Sequence, residues 1–133
     1  VMSYIYYNHN PLKRTTTDCV IRACSVATDN SWSGTHRDIC DLARMMGLMP
    51  DSGAAFGAYL RARGFRRHII PNECPDCYTV KEFARDHPHG SYVVAIDGNP
   101  GHVVAVIDGD YIDIWDSGDE IPTYYYGLED GHV

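Results

Sequence analysis

The chain of 133 residues has no run approaching the ~20 consecutive apolar residues of a membrane span. It has no excess of positive charge either. Lys and Arg number 11 against 18 Asp and Glu, for a net charge of −7. A surface of that sign repels phosphate, which excludes broad nucleic-acid or anionic-membrane binding. Arg61, Arg63, Arg66, Arg67 and His68 form the one basic cluster, and it reads as a solvated face where a helix meets a strand. The first seven residues lack the basic start and apolar core of a signal peptide, and Met2 is the expected native start. Five cysteines, an odd number, fit a reducing cytoplasm better than a disulfide framework. There is no internal repeat, no low-complexity linker, no phosphate-binding loop, no dinucleotide fingerprint and no His-Glu-x-x-His. Length and ordinary apolar content predict one globular domain over 1–133.

Periodicity divides the chain into helices first and strands later. Residues 4–7 read as a short edge strand and 8–11 as a loop. A first helix is expected over about 18–29, with Val20, Ala23, Cys24 and Ala27 as its apolar stripe. A second follows Ser33-Gly34, with Thr35 and Asp38 spaced as a capping box and Gly47 as its stop. Its apolar face is Ile39, Leu42, Ala43 and Met46. A third spans about 53–63, with Phe56, Tyr59 and Leu60 facing the core. A capping box at Thr79 and Glu82 opens a short helix that stops before Pro88. Strands are expected over about 65–70, 92–97, 102–107 and 111–116, and a last one at 124–126. This order predicts an α+β fold with an early helix packed on an antiparallel sheet.

Cys19, His102 and a carboxylate beyond the 108–109 turn carry the chemistry. Cys19 follows the polar stretch Thr15-Thr16-Thr17-Asp18 and opens the first helix. A thiol there feels the positive end of the macrodipole, which favours the nucleophilic thiolate. Buried, inert thiols are expected among the other four, Cys24, Cys40, Cys74 and Cys77. His102 starts a strand after Gly101, where its side chain can clear the sheet edge. The other histidines lack that setting; His9, in the loop ahead of Cys19, comes nearest. A nucleophile, a base and a group orienting the base in this order is the pattern of thiol catalysis. The hairpin register leaves two orienting groups open. A strict two-residue turn at Asp108-Gly109 puts position 102 opposite Trp115 and Asp113 on the face of His102. A turn one residue longer puts Asp116 opposite His102, because a one-residue slip flips every side chain.

The segments Thr17-Asp18-Cys19-Val20-Ile21-Arg22-Ala23-Cys24-Ser25-Val26-Ala27-Thr28, Gly101-His102-Val103-Val104-Ala105-Val106-Ile107-Asp108-Gly109 and Trp115-Asp116-Ser117 resemble papain-like cysteine peptidases. More narrowly, they resemble small stand-alone members of phages and bacteria, over nearly the whole chain. The resemblance implies a papain-like α+β fold, with Cys19 as nucleophile, His102 as base and Asp116 as orienter. It implies hydrolysis of a peptide, isopeptide or related amide bond in a peptide or protein substrate, with no cofactor, in the cytoplasm of a bacterium or phage-infected cell. A cell-wall peptide amidase uses the same residues, as does acyl transfer to an amine. One departure stands out. Such enzymes place a Gln a few residues before the nucleophile as an oxyanion donor, and this chain contains no Gln. Asn10, Lys13, Thr15 and Thr16 are the candidate substitutes, with the Cys19 backbone N–H as second donor. The gap supports the competing reading, a non-catalytic binding protein on the same scaffold, for instance a phage inhibitor of a host factor.

Cys74-Pro75-Asp76-Cys77 has zinc-knuckle spacing, but a structural zinc needs four ligands and no second pair is present. Cys40, His87 or His89 would have to be brought close, so no metal is expected.

Overall fold

A computed structural model describes residues 3–72, 78–97 and 101–128. Four helices and six strands alternate unevenly along the chain: β1 (Ser3–Tyr6), α1 (Cys19–Ala27), α2 (Trp32–Met46), α3 (Gly53–Ala62), β2 (Phe65–Ile69), α4 (Val80–Asp86), β3 (Ser91–Ile96), β4 (His102–Ile107), β5 (Asp110–Asp113) and β6 (Tyr124–Leu128). The strands form one sheet in the order β1-β5-β4-β3-β6-β2. The class is α+β, as expected.

The sheet is mixed rather than wholly antiparallel. β1 lies parallel to β5 at one edge, because the chain returns from α4 and the β3–β4 hairpin before pairing with it. The last strand, β6, does not cap an edge. It inserts between β3 and β2, antiparallel to both.

Strand alternation explains why β3 and β4 are nearly continuous apolar runs. Val93, Ala95, Val103 and Ala105 join the core built with α1, α2 and α3. Val94, Ile96, Val104 and Val106 join a second core with Val80, Phe83 and Ala84 of α4. Both faces of these strands are covered, so neither face is free to be polar. Helix α1 is buried almost all round, including Arg22 and Ser25. A helix in that position is the centre of the domain rather than its surface.

Local chemistry sets the element ends. Thr79 caps α4 and Glu82 returns the bond to the Thr79 backbone, the capping box the spacing predicts. The cap of α2 differs from expectation. Ser31, four residues earlier than Thr35, accepts from the Gly34 amide and starts the helix at Trp32. Thr35 is fully buried in the helix, its hydroxyl 3.2 Å from Tyr59 Oη. Gly47 ends α2 in the left-handed region at φ 70°, as its lack of a Cβ allows.

The 108–109 turn decides the site. Asp108 and Gly109 have φ of 49° and 88°, and Ile107 pairs with Asp110. Two consecutive positive φ values make a two-residue hairpin turn whose twist matches the strands. The strict register therefore holds, with Ala105 opposite Ile112. The Cys74–Cys77 pair, the 98–100 turn and His132 lie outside the described residues. Among the described residues no group of three or more His, Cys, Asp or Glu side chains is placed to hold a metal. Nor is any helix among them long and apolar enough to cross a membrane.

Candidate active site

Cys19 is the first residue of α1, and α1 packs on β4, which begins at His102. The thiol is hydrogen-bonded to the His102 imidazole, and the Val103 amide donates to its sulfur. His102 Nε2 lies 2.6 Å from Asp113 Oδ2. With Nε2 so engaged, the other ring nitrogen, Nδ1, is the one left to serve the thiol. Trp115 packs beside the imidazole, ring centroids 5.0 Å apart.

The orienting carboxylate is Asp113, not Asp116. The two-residue turn leaves Asp113 at the end of β5 on the diagonal to His102, with a side chain only 1% exposed. Asp116 falls beyond the strand. It is exposed, and its Oδ1 accepts from Tyr111 Oη at 2.8 Å and from the Gly118 amide at 3.0 Å. Those two donors hold its carboxyl below the usual range and keep it in the turn after β5.

Asp113 meets four donors. Arg22 Nη1 (3.1 Å) and the Ile114 amide (2.8 Å) donate to Oδ1. His102 and Ser117 Oγ (2.9 Å) bond Oδ2. That fills a carboxylate's capacity and fixes its plane. Arg22 in turn donates through Nε to Asp18 Oδ1 at 2.8 Å. Asp18 Oδ2 accepts from Asn10 Nδ2 (3.2 Å) and Trp32 Nε1 (3.0 Å). Asp18 precedes α1 but forms no side-chain cap. Its carboxylate is spent on this network and leaves the first-turn amides of α1 beside Cys19 uncapped by Asp18.

The electrostatics follow. Burial pushes the Cys19 thiol up, but the His102 hydrogen bond, the Val103 amide and the charges of His102 and Arg22 outweigh it and hold the thiol below its ordinary value. Burial pulls His102 down, yet Asp113 and Cys19 together raise it to about 9. Asp113 is pushed up by burial and brought below its ordinary value by His102, the Ile114 amide and Ser117. All three directions favour the thiolate and imidazolium forms, backed by an ionised carboxylate. Cys24, wholly buried in the same helix, is driven far up by desolvation and is inert.

The site opens into a cleft of about 990 Å³ lined by Thr16, Thr17, Phe56, Ile114, Trp115 and Tyr124, among others. Of the oxyanion candidates, Asn10 is buried and committed, with Oδ1 accepting from Leu12 N and Nδ2 donating to Asp18. Lys13 has φ 55° and turns its ammonium onto Asn8 O at 2.8 Å. Both serve the loop's own shape, so neither is the donor. Thr15 is exposed and does not line the cleft; Thr16 does. His9 is held apart, with Nδ1 2.8 Å from Ser25 Oγ at a separate surface hollow.

Sequence reasoning did not single out Arg22, Ser117 or the role of Asp18. Two signals were present: an Arg inside the apolar run 20–27, and the Asp18–Arg22 spacing of four. Comparison of the chain with known protein families, curated proteins and solved structures finds no match. What defines the molecule is thus its own α+β framework and a thiol–imidazole pair backed by a buried carboxylate.

Proposed function

We propose that the chain is a cysteine-nucleophile hydrolase of peptide, isopeptide or related amide bonds, on a papain-like scaffold. One observation carries this reading. A single imidazole is hydrogen-bonded to a thiol at a helix N-terminus and, 2.6 Å away on its other side, to a buried carboxylate, at the floor of an open cleft. A carboxylate–imidazole pair alone is common structural material; the third group, partly exposed and depressed in pKa, is what chemistry needs.

In the proposed cycle the Cys19 thiolate attacks the carbonyl carbon, forming the C–S bond and an oxyanion. The amides of the first turn of α1 lack helical partners and are suited to that charge, with the Thr16 hydroxyl on the cleft wall as a second donor. The His102 imidazolium gives its proton to the leaving nitrogen as the C–N bond breaks. Neutral His102 then takes a proton from water, which attacks the thioester and expels the thiolate. An amine in place of water gives acyl transfer. Asp113 holds the ring and its charge throughout.

Asp51, Asp97 and Glu120 also line the cleft. Among the described residues its two basic ones are His102, needed for catalysis, and Arg22, already neutralised by Asp18 and Asp113. The field therefore favours substrates carrying Lys or Arg over those carrying Asp or Glu. Incubation with a random-sequence peptide library, read by mass spectrometry against Cys19→Ala, is expected to give new termini only with the wild type. Basic residues are expected near the cut, and their enrichment is expected to weaken with salt. A stoichiometric complex with a protein and no new termini supports the binding protein instead. Equal cleavage of acidic and basic peptides contradicts the charge argument.

A further inference from the structure

We propose that Arg22 is a positioning residue that tunes the thiol–imidazole pair electrostatically, by bridging the nucleophile's helix to the carboxylate that orients His102. This rests on the reading of Cys19 and His102 as a catalytic pair. Arg22 stands one helical turn after Cys19, on a helix whose other buried members are small or apolar. Its side chain is 8% exposed and its carboxylate partners 6% and 1%. A guanidinium so placed is costly to bury, and removing it strands two carboxylates. Core packing does not call for it, since the apolar stripe of the helix is Val20, Ala23 and Cys24, around the helix from Arg22.

The fork geometry gives the residue its function. Nε goes to Asp18 and Nη1 to Asp113, so one rigid plane ties the start of α1 to the end of β5. Because Arg22 and the Ile114 amide occupy Oδ1, Oδ2 is turned to His102. The charge acts as well as the shape. Counting the ion pair as formed, the row Asp18, Arg22, Asp113, His102, Cys19 alternates in sign. Without Arg22 the thiolate would face two buried carboxylates with one cation between them. A staple could hold the same elements together without that alternation, so the two roles separate by experiment.

The test is the pH dependence of Cys19 alkylation by iodoacetamide, followed by peptide mass spectrometry in the folded protein. Arg22→Gln is expected to raise the midpoint for Cys19 by roughly one unit, slowing alkylation about tenfold below it. Arg22→Lys, which keeps the charge but cannot bridge both carboxylates, is expected to fall between. Asp18→Asn removes a negative charge beside Cys19 and is expected to move the midpoint the other way. Opposite shifts support tuning, because loosening of a staple moves both variants in one direction. If Arg22→Gln does not fold, Asp18→Asn and Arg22→Lys decide: a lowered midpoint in the first and a raised one in the second support the proposal. Folded variants whose profiles superimpose on the wild type, or shift alike, overturn it. An ordinary, unactivated Cys19 in the wild type overturns instead the catalytic reading beneath it.

Discussion

Asp113→Asn is expected to lower turnover by about 10²–10⁴-fold, whereas Asp116→Ala is expected to stay within a few-fold of wild type. The reason is the donor count around residue 113. Arg22 and the Ile114 amide meet one carboxylate oxygen, His102 and Ser117 the other. An asparagine has one acceptor and one donor group in their place. Whichever way its amide turns, an NH₂ faces two donors. Turned toward His102, it also breaks the bond that fixes the ring. Asn is chosen over Ala because it keeps the volume of a buried side chain. Asp116, exposed and bonded to Tyr111 and Gly118, supports only the turn after β5. Steady-state rates on any peptide identified as a substrate, with thermal unfolding alongside, check both. The reverse ranking, Asp116→Ala inactive and Asp113→Asn active, contradicts the site.

The second large effect is with pH. Activity of the proposed pair needs Cys19 deprotonated and His102 protonated. The Cys19 thiol lies below its ordinary value and His102 is raised to about 9. The rate is therefore expected to be bell-shaped, with its acid limb displaced below the range of an ordinary thiol. It rises on the acid side as Cys19 ionises and falls as pH passes about 9. Stability carries a linked signature of known sign. His102 binds its proton more tightly folded than unfolded. Its contribution is full below its ordinary value of 6.5 and is lost as pH rises through about 9. Asp113 is depressed on folding, so its contribution is present above its ordinary value of 3.8 and is lost as pH falls below it. Chemical denaturation at a series of pH values is expected to give a plateau between these limits. Cys19, held below its ordinary value of 9.0, adds stability over the alkaline range and opposes this loss, so the loss is read in Cys19→Ala: a stability there that does not fall as pH rises above 6.5 contradicts the raised imidazole.

Much of this was legible in the residues. Cys19 at a helix start and His102 at a strand start follow from turn and periodicity signals on either side of them. The capping box of α4 and the two-residue reading of Asp108-Gly109 depend on chemistry local to a few positions. The third group was not settled, because register is a property of a pair of strands, and Asp113 and Asp116 differ by the parity that one loop residue changes. Resemblance favoured Asp116; φ at Asp108 and Gly109 favours Asp113. The parallel β1–β5 edge and the central place of β6 were invisible for a similar reason, since long-range pairing leaves little mark on four or five residues. Arg22 was hidden by its own setting. In an apolar helix an Arg reads as an exposed edge until its two carboxylates, one of them 91 positions away, are seen to enclose it.

Activation of Cys19 by His102 is read in the rate at which Cys19, against the other thiols of the same chain, reacts with iodoacetamide at pH 6. The geometry predicts rapid, selective alkylation of Cys19 in the wild type and its collapse to the rate of an ordinary thiol in His102→Ala. Uniform slow labelling of the accessible cysteines in the wild type, or Cys19 labelling that ignores His102, would contradict it.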